Sequence, residues 1–446
     1  MENTREQWSS KFGFILATAG AAIGLGAIWK FPYVAGMNGG GAFLILFIVF
    51  TVFIGLSMLV SEFIIGRGAK KEAVSAYKKL APNSFWVHVG RLGVVGCFLL
   101  LSFYSVVGGW IMLYSGLAVT GNVISADANY GQLFDQITAS PWMGLVGLAL
   151  FLILNVIVLS FGIKNGIEKA NKYLMPLLFI FFIILVVRAL TLDGAMEGVR
   201  FFLYPDFSLM TSEGVLYALG QSFFSLAVGF SCMVTYSSYL NQKESIPQAA
   251  SSVAVMNIFV SILAGLAIFP VVFAFGLEPA EGPGLLFIVL PSAFSQMPLG
   301  EVFLAIFLLL FLFATLTSSF SLLEIIISAF TEDKKRSRIK VAWVSGMIVF
   351  FAGIPAALSF GILENVELFG MNVFDLTDYL VSNIMLPLGS LLIALFISYK
   401  MDKQLVKSQF RAGNSLSSNW LNTWIFLMRY IVPLTIIIVF VGLIIG

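Results

Sequence analysis

The sequence predicts an all-α membrane protein of eleven transmembrane helices, five of them followed by five more of opposite polarity and a last one. Three observations predict it. Of the 446 residues, 59% are hydrophobic and 11% are charged, more apolar surface than a soluble domain needs. The apolar residues fall into runs near the roughly 20 residues that a bilayer core of about 30 Å asks of one helix. The basic residues collect on alternate connectors, as in a chain that threads back and forth.

The first run, 12–34, follows a polar start, "MENTREQW", without a signal-peptide cleavage pattern, so it is expected to stay in the mature protein. It is interrupted at half depth by "GLGAIWKFPY" (24–33), whose two glycines, lysine and proline suit no plain anchor. Runs at 41–66, 88–120, 141–160 and 168–190 complete a block of five. The sixth run, 213–240, carries a second interruption, "FFSLAVGFS" (223–231), with Gly229 at mid-depth. Runs at 247–277, 300–330, 340–360 and 374–399 complete a second block, and 423–445 is the eleventh. The connectors 67–87, 161–167, 241–246, 331–339 and 400–422 hold most of the Lys and Arg, "DKKRSRIK" among them, while the alternate connectors carry acids such as Asp193, Asp206 and Glu364. Counting residues near helix ends with the connector they adjoin, only Lys30, Arg188 and Arg200 of the 25 basic residues lie away from the N-terminal side, which leaves 22 on it. The positive-inside rule places that side in the cytoplasm. Eleven crossings then put the C-terminus outside.

Five is odd, so the second block enters the membrane with inverted polarity. Paired interruptions at corresponding places of two inverted halves point to a transporter binding site. The plainer reading, that Gly24, Gly26 and Gly229 only permit close helix packing, fits one break better than two. Unwinding frees N–H and C=O groups, which membranes tolerate only where they line a cavity or bind something. The N–H groups and positive helix ends suit a carboxylate, and the carbonyls suit a cation. Cys97 and Cys232 fall in apolar runs and imply no disulfide, and the single His88 leaves little for a metal site. An intramembrane enzyme would need a nucleophile–base pair or metal ligands that one histidine does not supply.

"REQW" (5–8), "GLGAIWKFPY" (24–33), "NGGGAF" (38–43), "SFYSVVGGW" (102–110), "GQSFFSLAVGF" (220–230) and "TLTSSFSLLE" (315–324), in this order along the chain, resemble the neurotransmitter:sodium symporter family. Within that family the chain resembles bacterial eleven-helix amino acid transporters, including those described for methionine and alanine. The resemblance implies a leucine-transporter-type fold in a single transporter domain over 1–446, with a five-plus-five inverted repeat (12–190 and 213–399), broken helices 1 and 6, and an eleventh helix at 423–445. It implies sodium-coupled import of a neutral L-amino acid by alternating access, in the plasma membrane of a bacterium. An uncoupled channel or an amino acid sensor could share this scaffold, although the retained Thr317 and Ser318 disfavour it.

Carried over position by position, the resemblance implies a second sodium site from the carbonyls of Gly20, Ile23 and Ala314 and the hydroxyls of Thr317 and Ser318. It implies a substrate site from Ala22, Gly24, Leu25, Gly26, Leu100, Tyr104, Phe224, Ser225, Ala227, Phe230, Ser318 and Leu322. Tyr104 would bond a substrate carboxylate and Phe224 would lid the site. That pocket is apolar, which selects an alanine-, methionine- or leucine-like side chain. Lys30 and Asp378 would close the outer vestibule, Lys30 standing where most relatives carry Arg. Arg5 with Glu332 or the adjacent Asp333 would form the inner gate, with Trp8 plugging the path.

Two departures qualify the expectation. Ala27 stands where relatives offer an Asn amide to a first sodium site, leaving Ala22 carbonyl, Ser225 and Asn257 as its protein ligands. One functional sodium ion, at the second site, is therefore expected. Phe47 replaces a tyrosine of chloride-dependent relatives, while Gln221, Ser225 and Ser261 match other parts of that chloride site. This half-kept set speaks against chloride dependence.

Overall fold

Within a bilayer every backbone N–H and C=O must find a partner inside the protein, and this chain meets that demand with helices. The computed structural model describes residues 6–121, 123, 129–277, 284–331 and 336–445. The apolar runs form α1 (Lys11–Ala22), α2 (Gly26–Met37), α3 (Gly41–Ala69), α4 (Val87–Val119), α5 (Pro141–Ser160), α6 (Ile163–Leu190), α7 (Ser212–Ser225), α8 (Cys232–Ser237), α9 (Ile246–Ala274), α10 (Gly300–Thr331), α11 (Arg338–Ala357), α12 (Val373–Lys400) and α13 (Ser418–Gly442).

Short polar residues set several of the starts. Ser10, Ser140, Thr211, Ser245 and Asn372 each accept a backbone N–H from the first turn of α1, α5, α7, α9 and α12, which satisfies a donor the helix leaves orphaned. Gly39 and Gly40 turn the chain into α3 with φ of 78° and 52°. A side chain at Gly40 would collide with the Phe201 carbonyl.

Among the described residues nine helices are long and apolar enough to cross a bilayer, and α1 with α2, bent by 52°, make a tenth if they are one span. The sixth run is present as α7 and α8, each too short to cross alone. The expected count of eleven therefore depends on those two forming one broken span.

The elongated α4 and α10 pack along each other at the centre. The first half-helix, α1, lies among α6, α9 and α10, while α8 lies between α3 and α10. In their most apolar stretches α4 is the most enclosed, and α6 and α13 are the most peripheral. The outward faces of α5, α6, α11 and α13 carry large apolar side chains, Ile153, Ile183, Phe351 and Ile438 among them, as a lipid-facing surface requires. Five further helices, Ala73–Leu80, Tyr130–Ala139, Ala195–Leu203, Leu285–Ser295 and Lys403–Arg411, lie in the connectors. At 8–11 residues they fall below any span-length criterion, so the apolar-run reading passed over them.

On the basic side Arg67, fully buried at the end of α3, donates to the carbonyls of Glu244 and Gln409 and to the Gln409 side chain. One buried cation thus pins two connectors against the bundle.

Candidate functional site

Both interruptions are real breaks in the helical ladder. After Ile23 N–H donates to Ala19 at 2.7 Å, α1 ends. The chain is unwound at Ile23 and Gly24, and Leu25 already has helical angles where α2 begins. Freed groups find tertiary partners here. Ser318 Oγ donates to the Ala21 carbonyl at 2.9 Å, and Asn257 Nδ2 donates to the Ala22 carbonyl at 3.3 Å. Leu25 N–H donates to Tyr104 Oη at 3.4 Å, and Gln221 Nε2 donates to the Gly26 carbonyl at 2.6 Å.

The second break, Leu226 to Ser231, is sharper. Ala227, Gly229 and Ser231 all have positive φ, 52°, 104° and 57°, conformations that cost non-glycine residues about 1–3 kcal/mol each. Glu62, fully buried on α3, holds this turn by accepting Gly229 N–H at 2.6 Å and Val234 N–H at 3.3 Å. A side chain at Gly229 would collide with Ser390 Oγ and reach 2.9 Å from the Leu386 carbonyl.

The two breaks face each other across a cavity of about 30 Å³. Of the residues assigned to substrate, Ala22, Gly24, Gly26, Leu100, Tyr104, Phe224, Ala227, Phe230, Ser318 and Leu322 line it. Leu25 and Ser225 do not, since Leu25 N–H is engaged by Tyr104 and Ser225 Oγ donates to Asn257 Oδ1 at 3.1 Å. Ala21, Cys232 and Leu386 line the cavity without having been singled out. The space suits one or two waters rather than an amino acid, so side chains must move to admit a larger ligand. A second cavity, about 70 Å³, holds Lys30, Tyr217, Gln221, Ser382 and Asn383. Phe224 and Leu386 line both, and so form the wall between them.

Thr317 and Ser318 are buried on the face of α10 toward α1. Their hydroxyl hydrogens are committed, Thr317 to the Ala314 carbonyl at 3.0 Å and Ser318 to Ala21, which leaves their oxygen lone pairs free. Gly20 packs on Thr317, where a Cβ would come within 3.0 Å of Thr317 Cβ. The first-site residues instead bond to one another. Asn257 Nδ2 donates to the Ser225 carbonyl at 2.8 Å as well as to Ala22, while Ala27 is fully buried with no side-chain oxygen to add.

Among the described residues, the gate residues Lys30 and Asp378 are not in ion-pair contact. The Lys30 ammonium lies 4.8 Å from the centroid of the Phe224 ring, a cation–π distance. Asp378 accepts the Ser382 hydroxyl at 2.6 Å, and it acts on Lys30 only through space. Arg5, Glu332 and Asp333 lie outside the described residues. Trp8 is buried, donating Nε1–H to the Tyr236 carbonyl at 3.0 Å, with its ring against Phe14, Tyr236 and Tyr239.

The sequence reading missed a set of buried charges near Trp8. Glu324 on α10 pairs with Arg338 and accepts the Tyr239 hydroxyl at 2.9 Å. Glu168 on α6 accepts both the N–H and the hydroxyl of Ser9 and pairs with Lys172 at 2.8 Å. Their signal was available, because an acidic residue inside an apolar run is costly and normally has a function; Glu62, Glu168 and Glu324 are such residues. Among the described residues, no group of three or more His, Cys, Asp or Glu side chains is placed to hold a metal ion.

Comparison with known proteins matches the chain to the sodium:neurotransmitter symporter family over residues 5–131 and 132–446. It is 52% identical over 439 residues to an uncharacterized sodium-dependent transporter of Bacillus subtilis, covering 98% of this chain and 97% of that one. A rat sodium- and chloride-dependent taurine transporter is 29% identical over 426 residues, covering 84% of this chain and 68% of that one. A crystal structure of MhsT in complex with L-phenylalanine superposes with a TM-score of 0.91 at 42% identity, covering 98% of this chain and 99% of that one.

Proposed function

Because the chain belongs to the sodium:neurotransmitter symporter family, a family of transporters and not of enzymes, we propose that it imports a neutral L-amino acid together with sodium by alternating access. The observation that carries this reading is the meeting of two broken helices at an apolar cavity, with Tyr104 in its wall accepting the Leu25 N–H at the start of α2. A substrate carboxylate binds there, at the positive start of α2. The start of α8 is already taken by the fixed carboxylate of Glu62. Substrate therefore has one carboxylate end to choose, and its side chain points among Leu100, Ala227, Phe230 and Leu322. These walls carry no charge, which supports an apolar side chain. MhsT, whose structure holds L-phenylalanine, widens the candidates from alanine, methionine and leucine to aromatic amino acids.

Sodium binds at Gly20, Ile23, Ala314, Thr317 and Ser318, a set of oxygens suited to a hard cation at the negative end of α1. The self-bonded state of Ala22, Ser225 and Asn257 supports a single ion. Phe47 in place of a hydroxyl supports chloride-independent transport. Lys30, Asp378 and Phe224 control the outer path, and Trp8 the inner one with Arg5 and Glu332. Residues 12–190 and 213–399 are inverted repeats that rock about this site, and the N-terminus is cytoplasmic.

Proteoliposome uptake tests the proposal. An inward sodium gradient should drive accumulation of labelled methionine or alanine, and internal unlabelled substrate should accelerate entry by exchange. Accumulation without sodium, or better competition by lysine or glutamate than by methionine, would reject it.

A further inference from the structure

Asn171 on α6 is fully buried, and its Oδ1 has no hydrogen-bond partner among the described residues. Its Nδ2 donates to the Ile167 carbonyl at 2.9 Å, which fixes which end of the amide is which. The oxygen therefore points away from its own helix, at Gly20. A Cβ built on Gly20 would collide with Asn171 Oδ1, and would come within 3.0 Å of Thr317 Cβ and 3.3 Å of Met175 Sδ. The amide oxygen, Gly20 and Thr317 thus meet at one point.

The residues that meet there, with Ser318 next along α10, carry acceptors rather than donors. The last in-helix bond of α1 is made to Ala19, so the Gly20 carbonyl belongs to the helix end that lacks intrahelical donors. Thr317 has given its hydrogen to Ala314, and Ser318 has given its own to Ala21. Met175, one turn along α6, adds only a thioether. A buried carbonyl oxygen without a donor is unfavourable, and a small hard cation bound mainly by backbone and hydroxyl oxygens would remove that penalty.

We propose that the Asn171 side-chain oxygen serves the sodium ion held by Gly20 and Thr317, adding a ligand from α6 to those from α1 and α10 and raising the affinity for sodium. The proposal rests on the second-site reading above. Its consequence is that sodium ties three helices together rather than two.

The test uses full-length protein in detergent, titrated with sodium chloride at constant ionic strength against choline chloride. Thermal stabilisation reports sodium binding, and labelled substrate binding at saturating sodium serves as the control. Asn171→Leu and Asn171→Ala should raise the half-saturating sodium concentration roughly 3- to 10-fold, the scale on which one net polar contact changes an equilibrium. Asn171→Asp, which keeps an oxygen and adds charge, should leave it unchanged or lower it. Substrate affinity at saturating sodium should stay within about twofold of the parent in all three, as for a residue acting only through the ion. If Asn171→Leu and Asn171→Ala titrate like the parent, or if Asn171→Asp weakens sodium as much as they do, Asn171 is structural and the proposal fails. Thr317→Ala separates this from failure of the site itself. When Thr317→Ala shifts the titration and Asn171→Ala does not, only the role of Asn171 is lost; when neither shifts it, the second site is misassigned.

Discussion

Lys30 sits beside the first break because an ammonium on a membrane path needs something to lean on. Here it leans on the Phe224 ring, while Asp378 is held by Ser382. Closing the Lys30–Asp378 pair requires the ammonium to leave the ring, so the residue that lids the cavity and the outer gate compete for one cation. Asp378→Ala should therefore impair transport more than substrate binding, measured as uptake rate against equilibrium binding of the same labelled amino acid. Lys30→Ala with normal uptake would remove the gate assignment. Gly229 illustrates a different constraint, since its φ of 104° and the approach of Ser390 both exclude a side chain. Gly229→Ala should cost about 1–3 kcal/mol from backbone strain alone, seen as a lower midpoint of thermal unfolding in detergent. An unchanged midpoint would mean that the turn relaxes freely.

The broken pairs α1–α2 and α7–α8 convert backbone into ligand, and each break is fixed by side chains from a neighbouring helix. Tyr104 and Ser318 hold the first, and Glu62 holds the second. The ion sites differ in what they still lack. Around Thr317 the Asn171 amide oxygen lacks a donor, whereas Asn257, Ser225 and the Ala22 carbonyl bond to one another. Sodium-driven uptake should accordingly follow a Hill coefficient of about one, by mass action at a single site. Thr317→Ala or Ser318→Ala should raise the sodium concentration for half-maximal uptake. Ala27→Asn would return the amide oxygen and should steepen the sodium response. Sodium dependence indifferent to both hydroxyl deletions, or a steep response in the parent, contradicts this assignment.

At the scale of the molecule, two cavities separated by Phe224 and Leu386 lie on one path toward the Lys30 side. On the opposite side the buried carboxylates of Glu324 and Glu168 pair with the half-buried Arg338 and the exposed Lys172, linked to the Trp8 region through Tyr239 and Ser9. Breaking either pair exposes an uncompensated buried carboxylate, so opening that side requires coordinated movement of α6, α8, α10 and the N-terminal segment. Orientation is open to direct test. With a cysteine introduced at Asp193 or at Ser408, a membrane-impermeant maleimide applied to intact cells should label Asp193→Cys only. Ser408→Cys should react after permeabilisation. The native Cys97 and Cys232 are buried and give a low background. The reverse labelling pattern would overturn the charge-based topology.

The sequence by itself determined the membrane class, the positions of the helical runs and the two interruptions, because apolar length and charge placement are local properties that a bilayer reads directly. The Thr317–Ser318 face of α10 and most of the residues that line the central cavity came from the family resemblance, carried over position by position, because hydroxyls and small or apolar side chains in a membrane helix equally fit plain packing. Which side chain satisfies which freed backbone group was decided only in three dimensions. Nothing local to Glu62 says that it supports a turn 167 residues further along the chain. Likewise nothing near Asn171 says that its amide oxygen faces Gly20, or near Lys30 that its ammonium rests on Phe224 rather than on Asp378. Those pairings follow from how α3, α6 and α10 pack around the breaks, and a buried polar group takes whatever partner that packing brings within a few ångströms.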